Sequence, residues 1–243
     1  MRYLMTFSYD GTNYYGYQKQ SNKVTIQGEI ESVLYKVCGN RNVSIHSSGR
    51  TDAHVHAINQ KAHFDLDNDI DVEKFKHSIN SLLRDSIYVK NIERVDNDFH
   101  SRYNIKEKSY IYKINMGEYN PFERNYVYQY NKYLDINSIK KATEYLIGTH
   151  DFKSFTKASS LKDSYVRTIY SIDIENKNDI LFITFTGNGF LRYMIRNIVG
   201  SLIDVGSGKI NPSDIKVILD KQNRECASIT ASPNGLYLLD VKY

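Results

Sequence analysis

The order in which the hydrophobic period changes along the 243 residues is what most limits the fold. Arg2–Tyr9 alternates apolar and polar residues and stops at Asp10-Gly11, which reads as a strand and a turn. Thr25, with Gly28 and Glu29, opens a helical run of Ile26, Ile30, Val33, Leu34 and Val37 that Gly39 closes. Two strand-like runs follow, Val43–Ser47 and Ala57–Phe64. Next comes a helical stripe over Asp71–Leu83, with Val72, Phe75, Ile79, Leu82 and Leu83 on one side. A fourth strand over Ser86–Val95 completes the order β-α-β-β-α-β, the ferredoxin-like plan.

The plan then repeats. Ser109–Met116 is predicted as a strand, Pro121–Tyr130 as an insertion, and Asp135–Ile147 as a helix capped by Asp135 and ended by Gly148. Tyr165–Glu175 and Ile180–Thr186 form a hairpin around Asn176-Lys177-Asn178-Asp179. A helix over Phe190–Val205 and a final strand over Leu236–Tyr243 follow. A short extra helix, Pro212–Leu219, has proline in its first turn. The expectation is an α+β protein of two ferredoxin-like halves, residues 1–105 and 106–243, with a ligand cleft between them. The halves share element order rather than visible sequence.

Composition narrows the chemistry. No apolar run approaches the length that spans a bilayer, and the alternating start lacks a signal-peptide hydrophobic region. The two cysteines, Cys38 and Cys226, stand in no metal or redox spacing, which suits a reducing cytoplasm. There is no phosphate-binding glycine loop and no dinucleotide fingerprint. A net charge of +4 is too mild to name a partner; a nucleic-acid binder needs its cations gathered on one face with aromatics for stacking on bases, and 21 tyrosines are compatible with that, although most tyrosines in any fold are half-buried packing residues. The loop Gly11–Gln20, with Tyr14, Tyr15, Tyr17 and Gln18, is too polar and aromatic to read as core, and Phe99-His100-Ser101-Arg102-Tyr103 is a basic, aromatic connection. The irregular stretch Thr149–Arg167, with Lys157, Lys162 and Arg167 interleaved with phenylalanine and serine, suits a grip on a phosphate backbone and reads equally as a solvated loop.

The densest candidate is Ser47-Ser48-Gly49-Arg50-Thr51-Asp52-Ala53-His54-Val55-His56, a connection between two strands. Gly49 favours a turn, and in extended chain Arg50 and Asp52 leave the same face. A guanidinium beside a carboxylate keeps it ionised, which readies an aspartate for chemistry, although structural ion pairs of this kind are common. Arg192 and Arg196, four apart in the expected last long helix, share a face with apolar neighbours, and an arginine there wants a carboxylate. Asp52 is the expected partner, and any other nearby acid would serve the fold alone. Asp52, His54, His56 and His63 also admit a metal reading, with zinc or iron, for which no further ligand stands in a known spacing.

Six motifs in order then converge on one family. They are Gly49-Arg50-Thr51-Asp52 with Val55-His56-Ala57, Phe99-His100-Ser101-Arg102-Tyr103, and Lys108-Ser109-Tyr110-Ile111-Tyr112. Gly148-Thr149-His150-Asp151-Phe152, Gly187 to Gly200 through Arg196-Asn197, and Gly235-Leu236-Tyr237-Leu238 complete the set. Together they resemble the TruA-type tRNA pseudouridine synthases, which modify uridines 38–40 of the anticodon stem-loop. The resemblance implies a pseudouridine synthase fold, with both halves in one continuous mixed sheet around a central RNA-binding cleft. It also implies a homodimer carrying tRNA across both subunits, and neither cofactor nor metal. By position, Asp52 is the essential carboxylate, Tyr110 stacks on the target base and helps remove the C5 proton, and Arg196 pairs with Asp52. Arg50 fills the space left by the flipped nucleotide, and His100, Arg102 and Gln18 are further candidate substrate contacts. His54 departs from the pattern where a small residue, commonly glycine, is usual, and Tyr17 where tryptophan is frequent, while Arg192 and Tyr193 vary a region that is itself variable and add one positive charge.

Overall fold

The structure is a computed structural model that describes residues 1–157 and 164–243; Lys162 lies outside them. In chain order the first elements are β1 (Arg2–Tyr9), α1 (Ile26–Val37), β2 (His46–Ser47), β3 (His56–Asp65), α2 (Val72–Leu82) and β4 (Ile87–Val95). They are followed by β5 (Glu107–Asn115), β6 (Tyr128–Gln129), α3 (Ile136–Glu144), β7 (Gly148–Asp151), β8 (Val166–Lys177) and β9 (Ile180–Gly187). The chain ends with α4 (Met194–Gly206), α5 (Asp214–Lys221) and β10 (Leu236–Lys242). The fold is α+β, as the periodicity predicts. Contacts divide it into two compact units, Met1–Lys106 with Tyr237–Tyr243, and Glu107–Leu236. Sequence order alone groups the last strand with the second half; its contacts group residues 237–243 with the first unit.

In the first unit β1 is central, antiparallel to β3 from Arg2/Asp65 to Tyr9/Ala57 and to β4 from Arg2/Val95 to Tyr9/Ile87. Period-2 alternation sends Tyr3, Met5, Phe7 and Tyr9 to one face, all buried. Tyr3 stacks on Phe64 at 5.8 Å, and Phe64 on Phe75 of α2 at 6.1 Å, so α2 is docked by its aromatic stripe. Thr25 and Asp71 cap α1 and α2 by accepting the N–H groups of Gly28 and Lys74. On the edge of β3 away from β1, two short strands share the space. β2 pairs antiparallel at His46/His63 and Ser47/Ala62, and β10 pairs parallel at Tyr237/His56 and Leu238/Ala57.

β2 is two residues long where the alternation predicts a strand from Val43. Its neighbour Ile45 explains this. The Ile45 N–H donates to Glu31 at 3.3 Å and its carbonyl accepts from Gln27 at 3.4 Å, so side chains of α1 take the groups a longer ladder needs.

In the second unit β5, β9, β8 and β7 lie side by side, all antiparallel, with β6 parallel to β5 at two positions. β5 turns Lys108, Tyr110, Tyr112 and Ile114 inward while Ser109, Ile111 and Lys113 stay half-buried. Asp135 caps α3, accepting from Asn137 and Ser138. The expected loop after Gly148 opens instead as β7, since Thr149, His150 and Asp151 find partners in Thr168, Arg167 and Val166. The last long helix begins at Met194, four residues later than its apolar pattern predicts. Tyr193 takes a left-handed φ of +66°, and the Arg192 carbonyl accepts from the Lys157 N–H and the Thr156 hydroxyl rather than from a helical turn. Arg192 therefore precedes the helix and does not share a helical face with Arg196.

Candidate functional site

In the first unit, the turn that carries Asp52 is fastened to the loop Gly11–Tyr17 mainly through main-chain groups. The Tyr17 N–H donates to the Thr51 carbonyl at 3.1 Å, the His54 N–H to the Tyr14 carbonyl at 3.3 Å, and the Gly11 N–H to Nδ1 of His56 at 3.1 Å. Within the turn, the Val55 N–H donates to the Asp52 carbonyl at 3.3 Å. Gly11 approaches so closely that a Cβ there would sit 2.0 Å from the Val55 carbonyl oxygen. From the sheet side, the Tyr9 hydroxyl bonds that of Thr51 at 2.8 Å, and Gln60 links the Ser48 hydroxyl to the Gly49 carbonyl. Burial raises the Tyr9 phenol to about 12, so that hydroxyl stays protonated. His56, buried, stacks on Tyr237 at 4.6 Å.

This fastening leaves Asp52 half-buried and Arg50 exposed on the same turn. A turn held at both flanks by main-chain bonds presents its central side chains with little freedom, which is what a pre-organised reactive group requires. Tyr17, at the departure from tryptophan, is buried beneath the turn, and burial raises its phenol. Gln18 beside it is exposed.

His100 and Arg102 belong to a second feature of the first unit, a run of aromatic rings from core to surface. His46 stacks on buried His63 at 4.9 Å, His63 meets His100 edge-on at 4.7 Å, and His100 lies 4.3 Å from Tyr103. Tyr103 is 76% exposed, with the Arg102 guanidinium 5.9 Å from its ring centre. The Ser101 N–H donates to Nδ1 of His63 at 3.2 Å, so that nitrogen carries no proton. Burial, then Arg2 and the neighbouring rings of His100 and His46, push His63 down to about 4; burial and His46 lower His100 in the same direction. These rings form a ladder with arginines at its margin, a surface suited to a flat base beside a phosphate.

In the second unit, Tyr110 lies on β5 opposite Phe185, 8% exposed, with its ring edge-on to Phe190 at 5.3 Å. Arg196 stands in the first turn of α4 and is half-buried. Its Nε donates to the Ala231 carbonyl at 2.8 Å while the Ala231 N–H donates to the Arg196 carbonyl at 3.0 Å. The guanidinium lies 5.0 Å from the centre of the Tyr193 ring, and that of Arg192 5.3 Å from the same ring. The left-handed kink at Tyr193 thus gathers both arginines on one ring, although only Arg196 is helical. Tyr110 and Arg196 are joined through chain 187–196, whose Phe190 and Tyr193 touch one and the other.

Asn197 was not singled out by its residue type. It is wholly buried; its amide donates to the Phe155 carbonyl at 2.7 Å, and its oxygen accepts from Thr230 at 2.7 Å and Arg224 at 3.1 Å. The signal was present, since a polar amide between Ile195 and Ile198 in an apolar run demands partners.

Of the residues in the metal alternative, His54 bonds the Thr12 carbonyl, His56 the Gly11 N–H and His63 the residue Ser101. Among the described residues no group of three or more histidine, cysteine or acidic side chains is arranged to hold a metal ion. Among the same residues no helix is long and apolar enough to cross a membrane.

Residues 5–104 and 142–243 match the tRNA pseudouridine synthase family. Relatives named tRNA pseudouridine synthase A 1 in Bacillus cereus (strain ATCC 14579) and tRNA pseudouridine synthase A in Anoxybacillus flavithermus are 44% and 43% identical. Those alignments run over 243 and 242 residues, covering 100% of this chain and 98% of each relative. A protein of the same name in Caldicellulosiruptor saccharolyticus is 44% identical over 241 residues, 99% of this chain and 98% of its own length. A solved Cbf5–Nop10–Gar1 complex aligns at 12% identity and a TM-score of 0.36, over 97% of this chain and 57% of that one, a likeness that carries no argument.

Proposed function

The chain belongs to the tRNA pseudouridine synthase family, to its A type, and from that premise we propose that Asp52 is the essential carboxylate of an enzyme acting on uridines 38, 39 and 40 of the anticodon stem-loop. The activity, isomerisation of uridine to pseudouridine in tRNA, follows from the family. The reaction breaks the N1–C1′ bond, turns the uracil and joins C5 to C1′; a proton leaves C5 and N1 gains one. Atoms and electrons are conserved, so the chemistry calls for no redox cofactor. The target nucleotide must leave its stack, and Arg50, exposed on the Asp52 turn, is suited to take its place.

The Asp52 carboxylate either attacks C1′ or removes the C2′ proton to give a glycal, and both routes need it ionised. Arg196 is proposed as the cation that keeps it so, and Tyr110 as the ring on which the uracil stacks, a contact worth about 1–3 kcal/mol per base. Gln18, His100 and Arg102 would meet the RNA away from the reacting base, with Tyr103 extending that surface. The working form is proposed to be a cytoplasmic homodimer. The observation that carries the assignment is the fastening of the Asp52 turn on both flanks, because chemistry at one ribose carbon demands a carboxylate with a fixed position.

Tritium release from C5-labelled uridine in a tRNA transcript tests this. The unchanged protein is expected to release tritium, and Asp52→Asn to release none while binding tRNA within a few-fold of normal. Turnover retained in that variant removes Asp52 from the mechanism. Undiminished release from a transcript with cytidine at positions 38–40 removes the assigned positions.

A further inference from the structure

His54 stands two residues beyond Asp52 with φ at +65°, in the left-handed region that glycine enters freely and a residue with a Cβ enters at a cost. Its ring is exposed, so burial of apolar surface does not account for a histidine here. Two hydrogen bonds reach from this residue to one short loop. The main-chain N–H donates to the Tyr14 carbonyl at 3.3 Å, and ring Nδ1 lies 2.7 Å from the Thr12 carbonyl oxygen. A carbonyl only accepts, so Nδ1 carries the proton and the ring is held in that tautomer.

We propose that His54 is a positioning residue, a clasp whose ring fastens the Asp52 turn to the Thr12–Tyr14 loop and so fixes where the carboxylate meets the ribose. The proposal rests on the assignment of Asp52 made above. Glycine would relieve the backbone but release the ring bond. Asparagine tolerates positive φ and carries an amide N–H close to where the imidazole N–H stands, so it should restore the clasp in part.

The test compares the unchanged protein with His54→Gly and His54→Asn by steady-state kinetics on a tRNA transcript and by amide hydrogen exchange. His54→Gly should lower kcat about five-fold, the factor a single neutral hydrogen bond contributes, with KM changed less than about two-fold. His54→Asn should recover most of that loss. A rise in KM with kcat unchanged would make the ring an RNA contact and overturn positioning. Equal losses in the two variants would overturn the hydrogen bond as its cause. Exchange of the residue-54 amide reads the clasp without turnover: faster exchange in His54→Gly supports it, and unchanged exchange overturns it. Failure of the Asp52 assignment would appear separately, as turnover in Asp52→Asn.

Discussion

The turn bearing Asp52 and the start of α4 bearing Arg196 are each held firmly, by opposite means. The turn is secured by main-chain hydrogen bonds to a neighbouring loop at Thr51 and His54, joined by bonds from Tyr9, Gln60 and the rings of His54 and His56. The start of α4 is secured by a buried polar side chain, Asn197, and by the chain 229–231 lying along the helix surface. Main-chain fastening makes position depend on backbone shape. Side-chain fastening makes it depend on residue identity, because a buried amide with one partner missing is costly.

The sharpest way to break this contrast is Gly200→Ala. A Cβ at Gly200 would lie 1.9 Å from the Ile229 carbonyl oxygen, a main-chain atom that can move only with its segment. That segment carries Ala231, which anchors Arg196, so the substitution should cost about 3 kcal/mol of stability and displace the guanidinium. Denaturant unfolding measures it, and a loss below about 1 kcal/mol would mean that the helix and the segment slide easily. Gly11→Ala is the counterpart in the first unit, where the added Cβ meets the Val55 carbonyl. Since it shifts the Asp52 turn rather than a core element, kcat should fall roughly 100-fold, with a smaller loss of stability. Comparable rates in Gly11→Ala and the unchanged protein would show that the turn is not held by this approach.

The smallest effect sharpens the comparison through pH. Unfolded, His63 takes up a proton as the pH falls through about 6.5; folded, it does so only near 4. Between those values the denatured chain binds more protons, so stability that is full above 6.5 is lost progressively as the pH drops toward 4. His100, lowered in the same direction, adds to the slope. The unfolding midpoint should therefore fall from pH 7 to pH 5, and less steeply in His63→Asn, which keeps an acceptor for Ser101. Equal slopes in the two proteins would remove His63 as the source.

Most of the fold was legible because its elements announce themselves locally. The limits of β1 and α1, and the caps at Thr25, Asp71 and Asp135, follow from alternation, helical stripes and capping chemistry. Motif order proposes Asp52, Tyr110 and Arg196 as site residues. Other features had no local cause. β2 begins only at His46 because Glu31 and Gln27, far back in the chain, take the polar groups of Ile45. α4 starts late because Thr156 and Lys157 take the carbonyl of Arg192. β10 joins the first unit because β3 has an open edge beside His56 and Ala57. The left-handed His54 and Tyr193 have no signature in a residue string.

By itself, then, the sequence determined the periods, the caps and the chemical identity of the groups, since each depends on neighbours within a few residues. Tertiary structure alone decided where ladders end, which unit receives the last strand, and how the Asp52 turn and Arg196 are held. Those outcomes depend on which distant groups satisfy each buried N–H and carbonyl, and that competition is settled only when the chain is folded.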